Sequence, residues 1–268
     1  LSADLITALT DAQLDRYSRH IVLREIGGGG QRKLLGASVA VVGAGGLGSP
    51  CIQYLAAAGV GRLTVIDDDT VALSNLQRQV LHTTADVGRT KTDSAAEAVT
   101  RLNPDVRVTG LTLRLTMDNA NALLAGHDVV ADGSDSFATR LAVADAAFAL
   151  RIPLVSAAVG PFEGQLATFR GWEAALPCYR CYVGDAANGP ADGEALTCAD
   201  TGMLGALTGV MGSLQALEII REIVGFGTSL AGRLLLYDAL GARMRTLTLP
   251  EDPGCAGCGS GPKPLPPQ

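Results

Sequence analysis

Residues 39–69 leave this chain few folds to choose from. An apolar run, Val39-Ala40-Val41-Val42, gives way to Gly43-Ala44-Gly45-Gly46-Leu47-Gly48. A segment rich in small residues continues to Gly59, and a second apolar run, Leu63-Thr64-Val65-Ile66, ends on Asp67-Asp68-Asp69. The order is strand, glycine turn, helix, strand, acid. Glycines at 43, 45 and 48 let the backbone turn tightly and approach a phosphate, whose charge rests on exposed N–H groups at the helix N-terminus. An acid closing the second strand accepts hydrogen bonds from a ribose. Small residues alone also serve plain helix–sheet packing. The strand before, the helix after and the spacing to Asp67 make this a nucleotide site on a Rossmann-like, doubly wound α/β sheet.

The following segment narrows the nucleotide. Ser74-Asn75-Leu76-Gln77-Arg78-Gln79 and Lys91 bring two cations just after the acid. Either one alone reads as an ordinary surface charge. Together they suit a mononucleotide's β- and γ-phosphates and a leaving pyrophosphate better than a redox dinucleotide. The combination favours ATP.

Composition then excludes several classes. The chain has 268 residues, 47% hydrophobic, enough for a large core, with no internal repeat. Its net charge of -6 argues against a general nucleic-acid binder. The N-terminus lacks the pattern of a cleavable signal, and the most apolar long segment, 203–224, holds Gln215, Glu218, Arg221 and Glu222, which disfavours a membrane span. The expectation is a cytoplasmic protein, with residues 1–258 one domain and 259–268 a disordered Pro/Gly-rich tail.

Along the chain, Asp11–Leu23 has helical periodicity, Gly27–Gly30 should break it, and Gln31–Leu35 should make a short helical turn. Helices are expected over 92–102, 137–150 and 203–224, the last with Gly205, Gly209 and Gly212 on a close-approach face. Strands are expected over 106–113, 127–132 and 152–158, with 163–169 as an antiparallel edge strand and a final pair over 233–237 and 244–249. Asp135 follows a strand C-terminus, where ligands gather in open α/β sheets, and it is equally suited to N-cap the helix after it. The stretch 183–200 reads as a mobile loop. His20, His82 and His127 have no partner spacing and read as structural.

Six cysteines are present. Cys178-x-x-Cys181 and Cys255-x-x-Cys258 have the spacing of a four-thiolate, closed, structural zinc site that ties the chain end to its middle. Redox Cys-x-x-Cys motifs seldom come as two units. Cys51, in the helix after the glycine loop, reads as packing.

Gly43-x-Gly45-Gly46-Leu47-Gly48, the 74–79 segment and Asp135 together resemble the adenylating domain of the MoeB/ThiF/HesA family, which the ubiquitin-activating enzymes share, from about Asp11 to Cys258. The resemblance leans toward the MoeB side through Leu196-Thr197-Cys198 and Gly212–Glu218, and it agrees with a zinc site. It implies that Gly43, Gly45, Gly46, Asp67, Ser74, Asn75, Arg78, Lys91 and Asp135 hold ATP, with Asp135 on Mg2+, Asp67 on the ribose and Asn75 orienting phosphates or the metal. Asp15-Arg16-Tyr17-Ser18-Arg19 matches the family segment whose arginine reaches the triphosphate, often from the other subunit of a homodimer. Arg19 would then join Arg78, Lys91 and Asp135 in catalysis. One departure is Ser136, where the family usually has Asn; no role is assigned to it. Cys198 lies near a loop where some relatives carry a reactive thiol.

The implied reaction is adenylation of the C-terminal carboxylate of a small β-grasp sulfur-carrier protein ending in Gly-Gly, with release of pyrophosphate. A chain-terminal carboxyl group ordinarily titrates at about pH 3.5, so it is already ionised and needs no general base. The alternatives are the same reaction on a ThiS-like carrier, a tRNA-modifying dehydratase on this fold, a nicotinamide oxidoreductase, and a module that only binds. Some relatives continue into a rhodanese domain, so the chain is also readable as a fragment of a longer protein.

Overall fold

The computed structural model describes residues 9–184 and 202–259. Its centre is an eight-stranded sheet in the order β3-β2-β1-β4-β5-β6-β7-β8. The strands are β1 (Ser38–Val42), β2 (Arg62–Ile66), β3 (Arg107–Leu111), β4 (Val129–Asp132), β5 (Leu154–Val159), β6 (Glu163–Phe169), β7 (Arg233–Asp238) and β8 (Arg243–Thr248). β3 through β5 run parallel; β6, β7 and β8 are antiparallel. Strand β1 is buried at every position, as its unbroken apolar run requires of a strand covered on both faces. The fold is thus Rossmann-like, with antiparallel strands toward one edge. No helix among the described residues is long and apolar enough to cross a membrane.

Helices cover both faces. On one lie α3 (Gly27–Gly36), α4 (Gly48–Ala58), α5 (Lys91–Leu102) and α9 (Gly205–Val224), whose apolar sides close a core with Val39, Val41, Leu63, Val65 and Leu166. On the other lie α6 (Ala120–Leu124), α7 (Phe137–Leu150) and α8 (Tyr179–Val183), over Ala40, Val42, Val130, Leu154 and Phe169. Two short helices, α1 (Asp11–Arg16) and α2 (Ser18–Ile21), lead in.

Several expectations change. The N-terminal helix is broken at Tyr17, which is buried and accepts a hydrogen bond from Asn103 Nδ2 at 2.8 Å. Gly27–Gly30 do not interrupt the chain; they open α3. A side chain at Gly30 would lie 2.8 Å from Val224, so close helix packing outweighs the poor helix propensity of glycine. β6 is antiparallel as expected but lies between β5 and β7, leaving β8 as the edge. In α9, a Cβ at Gly205 or Gly212 would meet backbone oxygens of Gln77 and Leu47 at 2.2 and 2.3 Å, while Gly209 faces open space. Ser136, not Asp135, caps α7, accepting from Thr139 N at 3.4 Å. Most of the expected 183–200 loop, Cys198 with it, and the tail beyond Gly259 lie outside the described residues.

Candidate nucleotide and carboxylate cleft

β1 pairs with both β2 and β4, so the chain crosses to opposite sides of the sheet after these strands. The loops beyond their C-terminal ends therefore diverge and open a crevice at the topological switch point. A cavity of about 760 Å³ occupies it. Gly43, Gly45, Gly46, Asp67, Arg78, Lys91 and Asp135 all line this cavity. Ser74 and Asn75 do not. The Asn75 side chain turns back to accept from Ala72 N at 3.1 Å, and Ser74 contributes its carbonyl to Arg78 at 3.2 Å. Arg19 is exposed on α2 and is not part of the cavity wall.

The glycine loop is built by backbone contacts. Gly43 has φ +92, and an added Cβ would lie 3.2 Å from Gly133 O. At Gly48 a Cβ would lie 1.8 Å from Gly43 O, so the loop closes on itself only because residue 48 has no side chain. Asp67 Oδ2 accepts from Ala44 N at 2.7 Å and Oδ1 from Asp69 N at 2.9 Å, so the acid also pins the loop. His82 braces it from below: Nε2 donates to Ala44 O at 3.1 Å and Nδ1 accepts from Ser94 Oγ at 2.8 Å, with burial holding its pKa below the usual value. The amides of Gly45 and Gly46 have no acceptor among the described residues and lead into α4, an arrangement suited to an anion.

The charged side chains are mostly pre-paired. Lys91, buried at the first turn of α5, contacts Asp69 Oδ2 at 2.7 Å and Asp67 Oδ1 at 3.8 Å. A cation at a helix N-terminus is unfavourable by itself, and these carboxylates offset it. Arg114, which has no motif in the sequence to single it out, also lines the cavity and pairs with Asp68 at 3.0 Å. Asp67, Asp68 and Asp69 are close enough to share a cation, but all three are engaged with Lys91 or Arg114. Asp135 has no hydrogen-bond or ion-pair partner among the described residues. Its oxygens are available to a hard cation, so the site fits Mg2+.

Beneath Asp135 is a buried network with no local signature in the sequence. Asp132, 1% exposed, accepts from Ser134 N and Oγ at 3.1 and 2.7 Å, from Ser156 Oγ at 3.1 Å and from Arg140 at 3.3 Å. Arg140 also donates to Ser134 O at 2.5 Å and Ala157 O at 3.0 Å. Burial pulls its pKa down, but Asp132 and Tyr179 outweigh that, and the guanidinium stays charged. Gln215 of α9 donates to Asp132 O and Val155 O, both at 2.9 Å, clamping β4 to β5. In the sequence Arg140 is simply one of two charged residues in α7, the other being Asp145, which pairs with Arg180 instead.

Cys178, Cys181, Cys255 and Cys258 converge. Sulfur separations are 3.8 Å (178–181), 3.6 Å (178–255) and 3.2 Å (181–258). A tetrahedron with metal–sulfur bonds of about 2.3 Å needs about 3.8 Å, so the thiols are nearly in position for a four-coordinate ion. Gly257 N and Asp252 N donate to Cys255 and Cys181 sulfurs at 3.3 and 3.5 Å. Burial pushes the Cys258 thiol up to about 11, whereas at Cys255 the same burial is outweighed by backbone N–H donors and the pKa falls. Cys51 is fully buried in α4, as a packing residue should be. The three histidines bond within the fold, and none lines the cleft.

The model of the ThiF family matches residues 17–257. The chain is 48% identical over 258 residues to the sulfur carrier protein adenylyltransferase of Thermus thermophilus, covering 94% of this chain and 93% of that one. It is 44% identical over 254 residues to the molybdopterin-synthase adenylyltransferase of Escherichia coli, covering 94% and 98%. Among solved structures it is similar in fold to E. coli MccB crystallised with MccA-N7isoASN, with a TM-score of 0.80, 20% identity, and coverage of 94% and 76%.

Proposed function

The chain belongs to the ThiF family, and from that premise we propose that it is an ATP-dependent adenylyltransferase acting on the C-terminal carboxylate of a small β-grasp sulfur-carrier protein ending in Gly-Gly. The observation that carries the reading is the single cavity shared by the glycine loop, Asp67, Arg78, Lys91 and Asp135, which runs on past the nucleotide half toward Ser156, Ala158 and Gln165. One end suits a triphosphate; the other has room for a polypeptide end.

In this reading the amides of Gly45 and Gly46 receive phosphate oxygens and Asp67 holds the ribose. Arg78 and Lys91 stabilise the charge that builds on the leaving pyrophosphate. For Lys91 this means exchanging Asp69 for phosphate. The incoming carboxylate is already an anion, so these side chains act by reducing repulsion between two negative groups rather than by moving a proton. Asp135 would hold Mg2+, which neutralises polyphosphate charge when bound. Ser74 and Asn75, outside the cavity wall, act by shaping the turn that carries Arg78. The four cysteines would hold one structural Zn2+.

Arg19 reaches the polyphosphate from a second copy of the chain. Val22 and Leu23, beside it, leave large apolar side chains exposed, as do Val210 and Leu217 on α9, and such surface supports a homodimer. Residues 1–258 form one adenylating unit, with the last ten residues a tail, and the protein works in the cytoplasm, where paired thiols stay reduced. The carrier is MoaD-like or, in the same chemistry, ThiS-like.

The test is exchange of labelled pyrophosphate into ATP. It should require a carrier and be lost in Asp135→Ala and Arg78→Ala. Exchange without any carrier, or reduction of NAD by the pure protein, contradicts the reading.

A further inference from the structure

The half of the cleft remote from the glycine loop has its own chemistry. Its floor is set by the register of three strands. Ala158 lies opposite Gln165 and Ser156 opposite Ala167, while β7 brings Leu236 beside Gln165 and Leu234 beside Ala167. Side chains two apart on a strand share a face, so Ser156, Ala158, Gln165 and Ala167 form one patch, and all four line the cavity. Three of them are short. Over the patch stands Tyr182 of α8, its ring stacked on Phe169 at 6.2 Å, with Tyr179 edge-on to the same ring at 5.2 Å.

Of the two polar side chains in this patch, Ser156 is spent on Asp132, and the amide of Gln165 is oriented by Tyr182. Tyr182 Oη donates to Gln165 Oε1 at 2.5 Å, which occupies one lone pair of the amide oxygen and fixes which end of the amide faces the ring. Gln165 Nε2, with two N–H donors, has no acceptor among the described residues. A neutral amide donor on a shallow floor under an aromatic ring matches a peptide carbonyl. It does not match a phosphate, for which the cations on the other side of the cleft are available.

Resting on the adenylation reading above, we propose that Gln165, held by Tyr182, is a substrate-positioning residue that donates a hydrogen bond to a peptide carbonyl in the last residues of the carrier's tail. The floor of Ser156, Ala158 and Ala167 and the ring of Tyr182 leave space for a backbone without side chains. Tyr182 acts through Gln165: its hydroxyl keeps Nε2 turned into the cleft.

The variants are Gln165→Glu, which keeps the shape and the acceptor for Tyr182 but has no N–H, Gln165→Leu, and Tyr182→Phe. The assay is pyrophosphate exchange with purified β-grasp carriers ending in Gly-Gly, tested singly. One neutral hydrogen bond predicts a rise in carrier KM of about fivefold for Gln165→Leu and more for the charged Gln165→Glu. Tyr182→Phe should give a smaller rise. The KM for ATP and the melting temperature should stay at wild-type values, which a merely structural role would not allow. Unchanged carrier KM in both Gln165 variants, or KM values for ATP and carrier that rise together, overturns the proposal while the adenylation reading stands. Wild-type protein with no carrier-dependent exchange overturns that reading and this one with it.

Discussion

The four glycines of the 43–48 loop make separable contributions, and substituting them one at a time should pull fold and ligand apart. A Cβ at residue 48 would sit 1.8 Å from Gly43 O, and real contacts of this type are essentially never below 3.0 Å. Gly48→Ala must therefore move two backbone segments apart by about 1.2 Å or more, with a cost typical of an overpacked core, about 1–3 kcal/mol. For a chain this long that is a fall in melting temperature of about 3–10 °C. Gly43→Ala adds strain at φ +92 to a 3.2 Å contact with Gly133 O, and it should cost a similar amount. At Gly45 the nearest atom to an added Cβ is Gln79 Nε2, at an ordinary 3.7 Å. Gly45→Ala should leave stability of the free protein within about 0.5 kcal/mol of wild type. It should still weaken ATP binding by about tenfold, because a methyl group then stands where phosphate approaches the backbone. Thermal melts without ligand and calorimetric titration with Mg-ATP read the two effects separately. A Gly45→Ala variant that binds ATP like wild type, or melts as low as Gly48→Ala, refutes the division of labour.

Arg140→Met strands the Asp132 carboxylate in a buried site and should cost about 3–5 kcal/mol by urea unfolding, with Arg140→Met/Asp132→Asn recovering part of it. Because burial lowers the pKa of His82 below its ordinary 6.5, the unfolded chain takes up that proton more readily than the folded one. The contribution is complete above about pH 6.5 and is lost as pH falls through that value toward the folded pKa; urea midpoints between pH 5 and 8 should show this slope, and it should flatten in His82→Gln. Cys178→Ser should lose bound metal and lower the melting temperature; elemental analysis that finds unchanged zinc contradicts a four-thiolate site.

What could be read from the sequence follows how far apart the interacting residues lie in it. The strand–glycine–helix–strand–acid order is a property of one stretch of chain, and β1, α4, β2 and Asp67 are where that order puts them. Each Cys-x-x-Cys unit is likewise local, so the sequence marks both pairs, and the structure brings the four thiols together although 77 residues separate Cys178 from Cys255. Propensity misled where tertiary packing decided the outcome. Gly27–Gly30 look like a break in isolation and become helix because Gly30 must pass close to Val224, nearly two hundred residues on. The alternation over 163–169 reads as an edge strand, yet β6 is interior and Gln165, one of its polar positions, lines the cavity. That polar residue marks a cleft, a distinction that depends on α8 lying over the strand.

The same logic explains why the supporting residues of the site went unread. Asp132 meets Ser156 across 24 positions, Gln215 meets Asp132 across 83, and Tyr182 meets Gln165 across 17. None of these spacings has a motif, because each is set by which strands neighbour one another, and strand order appears only once the sheet is assembled. The glycine loop closes on its own backbone, Gly48 against Gly43 O, so its sequence is constrained locally. Asp135, by contrast, is exposed and unpaired, and its position depends on Arg140 and Asp132 holding the loop below it. If Asp135 does hold Mg2+, then Arg140→Lys, which keeps the charge but loses the planar fork that spans Asp132, Ser134 and Ala157, should raise the Mg2+ requirement of exchange while leaving Mg2+-independent nucleotide binding to the glycine loop intact. Equal loss of both would mean that the network supports the whole crevice and not the Asp135 loop in particular.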